Sequence, residues 1–185
     1  LGESLRYASF QVISILTTTG YATADYELWA PLPQVLLVFC MFVGGCAGST
    51  GGGIKSMRII LMVKQSYREL VRLVHPRAVL PVKLGGRSVS EGVLGGVWGY
   101  FVLFLILFLL SAFALAAMGV DVVTSFAAVV ACIGNIGPGI GTVGPTDNYA
   151  HLPLPGKAIL TFCMLLGRLE IYTVIILLIP EFWRK

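Results

Sequence analysis

Charge is what this sequence has least of. Thirteen Lys and Arg with nine Asp and Glu make 12% of 185 residues, while 57% are hydrophobic, against roughly 25% and 45–50% in soluble domains. So little polar surface cannot clothe a water-exposed core of this size, which leaves lipid as the covering. Histidine is nearly absent, and the four cysteines (Cys40, Cys46, Cys132, Cys163) stand inside apolar stretches without CxxC or metal-ligand spacing. They read as small buried hydrophobes. No catalytic acid, base, nucleophile or metal-ligand set is clustered anywhere, so an enzyme is not expected. The net charge of +4 does not point to nucleic acid, because the basic residues form no stripe interleaved with aromatics. No basic n-region precedes an apolar h-region, so no signal peptide is read. The opening LGESLRYASF is already amphipathic, and a fragment or truncated product lacking an upstream part is expected.

Long unbroken apolar runs are scarce too. The clearest, Val93 to Val120, is charge-free and longer than the ~20 residues a helix needs to cross a bilayer. Ala158 to Ile179 is long enough for a second span but carries Arg168 and Glu170 near its middle. PQVLLVFCMFV, Pro33 to Val43, is too short to cross alone and runs into GGCAGSTGGG before MRIILMV resumes, the pattern of a helix broken at membrane depth. Ser4 to Leu16 and Asp121 to Ile133 are helical but short, and each leads into a Gly-containing polar stretch, as a re-entrant helix would. The fold class is therefore an all-α integral membrane protein built of helix, re-entrant loop and helix. Residues 1–70 form a repeat without its first helix, 71–91 a linker, and 92–185 a second, complete repeat.

Positive charge sorts by segment. Lys55, Arg58, Lys64, Arg68, Arg72, Arg77, Lys83 and Arg87 lie between the broken helix and the clear span, and Arg184 and Lys185 close the chain. The connections 22–31 and 142–156 hold Asp25, Glu27, Asp147 and His151 but no Lys or Arg. Excess Lys and Arg marks cytoplasmic loops, so the first set is placed inside and the second outside. Both short helices then enter from the outer face. Trp29, Tyr149 and Trp183 flank spans and read as interfacial anchors. His75 and His151 sit in loops without a ligand partner, and the three outer acids would concentrate cations or simply be solvated.

The arrangement of short helix, Gly turn and inward-running helix occurs twice. Setting TTTGYAT (Thr17 to Thr23) against GNIGPGI (Gly134 to Ile140) aligns Gly20 with Gly137, 117 residues apart. A cation entering lipid must exchange its water shell for comparable ligands, and backbone carbonyls supply them. Turning successive carbonyls to one axis needs dihedrals that Gly adopts cheaply, and the inward-pointing C-termini of the short helices add partial negative charge. Thr17, Thr18, Thr19, Gly20 and Tyr21 are expected to form one wall of a selectivity filter, with Asn135, Ile136, Gly137 and Pro138 opposite or adjacent. A cation would sit at Thr18, Thr19, Gly20, Asn135, Ile136 and Gly137.

TTTGYAT, GGCAGSTGGGIK and GRLEIYT, in that order, closely resemble the third filter loop, the intramembrane loop and the last pore-lining helix of the TrkH/KtrB family, potassium-transporting subunits of bacteria. The resemblance spans essentially the whole chain. It implies four helix-loop-helix repeats around one pore in the bacterial inner membrane, and a homodimer. It also implies a cytosolic regulatory ring of the TrkA/KtrA type binding NADH or adenine nucleotides (ATP/ADP). The nucleotide is expected on that partner only. Two repeats cannot ring a four-loop pore, so the N-terminal half of the same subunit is a further expected partner.

The resemblance assigns gating to Gly44, Gly45, Gly48, Ser49, Thr50, Gly51, Gly52, Gly53 and Arg168. A coil at membrane depth is tolerable only against protein or water, which a pore provides. GSTGGGIKS approximates a phosphate loop, but Ile54 separates Gly53 from Lys55 and no strand precedes it, so nucleotide binding there is set aside. Arg168 is expected to meet the cavity or the coil, partly because the family places an Arg there. Glu170, two residues on, is expected to face elsewhere and make an ion pair or a hydrogen-bonded core contact. The leading reading is gated K⁺ permeation. The alternative is an Na⁺- or H⁺-coupled secondary transporter, since Gly-interrupted helices mark such carriers as well.

Overall fold

The computed structural model describes residues 2–177 and 179–184. Leu1, Leu178 within the second expected span, and Lys185 among the inner charges lie outside the described residues. Among the described residues eight α-helices follow one another: α1 (Gly2–Leu16), α2 (Pro31–Val43), α3 (Ser56–Val74), α4 (Glu91–Ala117), α5 (Val122–Ile133), α6 (Leu154–Arg168), α7 (Ile171–Ile176) and α8 (Pro180–Trp183). A hairpin, β1 (Lys83–Leu84) with β2 (Arg87–Ser88), sits between α3 and α4. Its turn is Gly85–Gly86 with both φ positive, at 55° and 82°, as a tight two-residue hairpin requires.

The long helix α4 is apolar on every face. One stripe, from Leu94 through Tyr100, Phe104, Phe108 and Ala112 to Leu115, is buried, while Leu110 and Phe113 on the other side are 64% and 60% exposed. Among the described residues α4 is the helix long and apolar enough to cross a membrane; α2 and α5 are shorter. An apolar outer face on such a helix is what lipid, rather than water, stabilises. α5 lies against α4, α6 and α2, and its residues from Ala127 to Ile133 are all buried. Its start is set by Asp121, whose carboxylate accepts from the amides of Val123 (3.0 Å) and Thr124 (3.3 Å), satisfying two N–H groups that helix geometry leaves open.

Two expectations are corrected here. The region 158–179 is not one helix: α6 stops at Arg168, and α7 begins at Ile171 after Glu170 takes φ +61°. Helix α3 runs from Ser56 to Val74, and its buried stripe holds Leu61 and Arg68. The Arg68 guanidinium forks onto both Glu91 oxygens at 2.5 and 3.0 Å, tying α3 to the start of α4. Cys132 and Cys163 are buried as expected, but Cys46 is exposed, because it lies in the coil and not in the helix before it.

Candidate functional site

The two Gly turns share one backbone. At the end of α1, Thr18 N–H donates to Ile15 O (3.0 Å) and Thr19 N–H to Ser14 O (2.9 Å). At the end of α5, Asn135 N–H donates to Cys132 O (3.1 Å) and Ile136 N–H to Ala131 O (2.9 Å). Each of the four atoms in one pair is matched in the other 117 residues later. Thr18 and Asn135 have φ of 56° and 54°, and Gly20 and Gly137 have 76° and 107°. A left-handed Asn is ordinary, but a β-branched Thr there is strained, a condition that clusters at functional sites. With the N–H groups turned back to the helix, no donor among the described residues is directed at the carbonyls of Thr18, Thr19, Gly20, Asn135 or Ile136.

The turns lie against each other. A β-carbon built on Gly20 would fall only 1.9 Å from Ile136 O, with Pro138 Cδ at 3.1 Å. Three hydroxyls then pin the pair: Ser14 Oγ donates to Tyr21 O (2.6 Å), Tyr149 Oη to Gly137 O (2.6 Å) and Tyr26 Oη to Gly139 O (2.8 Å). The Tyr21 and Gly137 carbonyls, expected to line the filter, therefore each accept a hydroxyl already. The Tyr21 ring itself is 75% exposed. Sequence reasoning missed Ser14 and Tyr26 and read Tyr149 as an anchor. A signal existed, since Asp25–Tyr26 and Asn148–Tyr149 stand at matching stations, each Asx capping a short 3-10 turn. Asn135 Nδ2 adds a bond to Met164 O (3.1 Å), fixing its turn to α6.

In the connection between α1 and α2 Asp25 caps its own turn, its carboxylate accepting from Glu27 N–H at 3.0 Å. Burial pushes the Glu27 carboxyl above the usual carboxylate range, opposed by a hydrogen bond from the Gly141 backbone and reinforced by Asp147 and Asp25. His151 Nε2 lies 2.7 Å from Thr142 Oγ1, so it has a partner within the loop.

The coil 44–53 is a loop with a stitched neck. Ile54 N–H donates to Phe42 O (3.1 Å), and Ser56 donates to Gly45 O through both N–H and Oγ, each at 3.1 Å. A β-carbon on Gly44 would meet Gly52 O at 2.4 Å, so glycine is required where the two limbs touch. The far part of the loop lies against the turns: a β-carbon on Gly51 would be 3.1 Å from Thr18 Oγ1, and one on Gly52 2.3 Å from Gly134 O. Arg168 reaches the same place, donating to Thr50 O at 2.5 Å. Glu170 does not face elsewhere. It accepts from Lys55 (3.1 Å) and Arg58 (2.9 Å), because the helix breaks between the two residues and the helical-face argument no longer applies. A polar cavity of about 330 Å³ lies between the coil and the break from α6 to α7, lined by Thr50, Lys55, Tyr100, Arg168 and Glu170 among others.

Residues 1–185 match the family described as TrkH, cation transport protein. The chain belongs to this family. The TrkH protein of Halomonas elongata, named a Trk system potassium uptake protein, is 48% identical over 183 residues, covering 99% of this chain and 38% of that protein. The TrkH of Escherichia coli K12, of the same description, is 47% identical over 98% of this chain and 37% of its own length. The crystal structure of the potassium transporter TrkH from Vibrio parahaemolyticus superposes with a TM-score of 0.87 at 46% identity, over 95% of this chain and 37% of that one. The chain thus spans under two fifths of the curated TrkH relatives it matches.

Proposed function

We propose that this chain contributes two loops of a carbonyl-lined K⁺ path to a potassium-uptake subunit of the bacterial inner membrane. The observation that carries the reading is the duplicated turn: identical hydrogen bonds 117 residues apart, left-handed residues at Thr18 and Asn135, and two glycine stations held in contact. Potassium rather than another cation is favoured by the names of relatives at 46–48% identity. K⁺ is placed at the carbonyls of Thr18, Thr19, Gly20, Asn135, Ile136 and Gly137, helped by the negative ends of α1 and α5. The coil 44–53 is read as the gate beneath them, with Arg168 holding the Thr50 carbonyl in the closed state and repelling a waiting cation.

The rest of the ion path is assigned to the remaining part of the same subunit, in a homodimer controlled by a cytosolic nucleotide-binding ring. The turns face outward, and the basic stretch Lys55 to Arg87 faces the cytosol and helps dock the ring. A coupled carrier is the second reading, favoured by two interrupted helices, one at the coil and one at Glu170. Recording from the full subunit reconstituted in a bilayer tests both. Unitary K⁺-selective currents are expected. Saturable exchange without single-channel events would transfer the assignment to a carrier, and transport indifferent to K⁺ would refute both.

A further inference from the structure

Lys55 and Glu170 stand at the same station of the two copies. Each is the residue just before a lower helix, α3 or α7, and each has nearly the same unusual backbone, φ 64° and ψ 131° against φ 61° and ψ 133°. A left-handed conformation in a residue without glycine's freedom persists only where its surroundings hold it. Here the two side chains hold each other: Lys55 Nζ is 3.1 Å from Glu170 Oε1. Equal charges at this station would repel, whereas this chain carries opposite ones.

The carboxylate also takes Arg58 Nη2 at 2.9 Å, and the Arg58 guanidinium lies 4.0 Å from the centre of the Tyr100 ring on α4. Lys55 Nζ reaches back into the coil, donating to Ser49 O at 3.2 Å. One carboxylate just before α7 thereby holds the limb that leaves the coil and, through Lys55, the Ser49 carbonyl within it. We propose, on the reading of the coil as gate, that Glu170 is a positioning residue: it clasps the limb leaving the coil through Lys55 and Arg58, and Lys55 in turn holds the Ser49 carbonyl, so that losing the carboxylate loosens the coil tip from Cys46 to Gly51.

The clasp is testable apart from the gate because Cys46, exposed at the coil tip, reports the coil's position without reference to flux. In the full subunit, Glu170→Gln keeps size but removes the charge, and the modification rate of Cys46 by a small methanethiosulfonate, read by mass spectrometry of its peptide, is expected to rise about fivefold or more. Exchanging the pair, Lys55→Glu with Glu170→Lys, leaves a carboxylate at the start of α3 facing both the new lysine and Arg58, a favourable place for negative charge. It is expected to return the rate to within about twofold of the parent. An unchanged rate in Glu170→Gln, or no recovery in the exchanged pair, overturns the clasp. Should Glu170→Gln fail to assemble, recovery of assembly in the exchanged pair decides in favour and continued failure decides against. A raised rate with unaltered K⁺ flux would keep the clasp and refute the gate.

Discussion

A methyl group at Gly20 and one at Gly137 make a matched experiment, because the two stations are alike in backbone and unlike in surroundings. Both have positive φ, 76° and 107°, so alanine at either incurs a left-handed penalty of roughly 1–2 kcal/mol. At Gly137 that is the whole cost, since a β-carbon there meets no described atom within 4 Å. At Gly20 the β-carbon would lie 1.9 Å from Ile136 O and 3.1 Å from Ile136 C. The facing backbone must retreat by about 1 Å to reach even a tight contact near 3.0 Å, adding overpacking of about 1–3 kcal/mol. Gly20→Ala is therefore expected to cost about 2–5 kcal/mol, and Gly137→Ala about 1–2. The displaced atom is itself a carbonyl proposed to ligate K⁺, so selectivity should fall with stability. The assay is the K⁺/Na⁺ permeability ratio of the full subunit beside its melting temperature in detergent. Gly20→Ala should lower both more than Gly137→Ala does. An unchanged ratio in Gly20→Ala, or greater damage from Gly137→Ala on both measures, would refute the apposition of the two turns as the basis of selectivity.

Tyr149→Phe removes the hydroxyl that holds Gly137 O at 2.6 Å and should cost about 1 kcal/mol of stability with a measurable drop in K⁺/Na⁺ selectivity; an unaltered ratio would make this tyrosine a packing residue only. Shortening the coil between Gly45 and Gly53 should raise K⁺ flux in a potassium-uptake-deficient host and loosen its dependence on the proposed regulatory ring, with Arg168→Gln acting in the same direction to a smaller degree and Arg168→Lys between Gln and wild type. Abolished transport in a folded, inserted coil deletion would place the gate elsewhere. Cysteines at the exposed positions Ser66 and Ser88 should react with impermeant thiol reagents from the cytosolic side alone; labelling from outside in intact cells would invert the topology and remove both filter assignments.

The sequence by itself determined the class of the protein and the local elements around its proposed site. Composition excluded a water-covered core, and the limits of α1 and α5 were legible to within two residues because their apolar runs end at a Gly turn and, for α5, begin at a capping Asp121. The break at the coil was equally plain, since ten residues rich in glycine cannot continue a helix in lipid. The break at Glu170 was not. Leu169 and Glu170 are good helix formers, and what bends the chain there is the reach of Arg168 to Thr50 and of Glu170 to Lys55 and Arg58, all more than 110 residues away. The same holds for Tyr149, whose ring resembles any interfacial aromatic until its hydroxyl is seen on Gly137 O, and for Gly20, whose need for glycine comes as much from the Ile136 carbonyl as from its own φ. Local pattern records which segments must be helical and where backbone must bend, because those follow from propensity and burial. Which carbonyl a hydroxyl or a cation finds depends on packing between two copies 117 residues apart, and only the tertiary structure decides that.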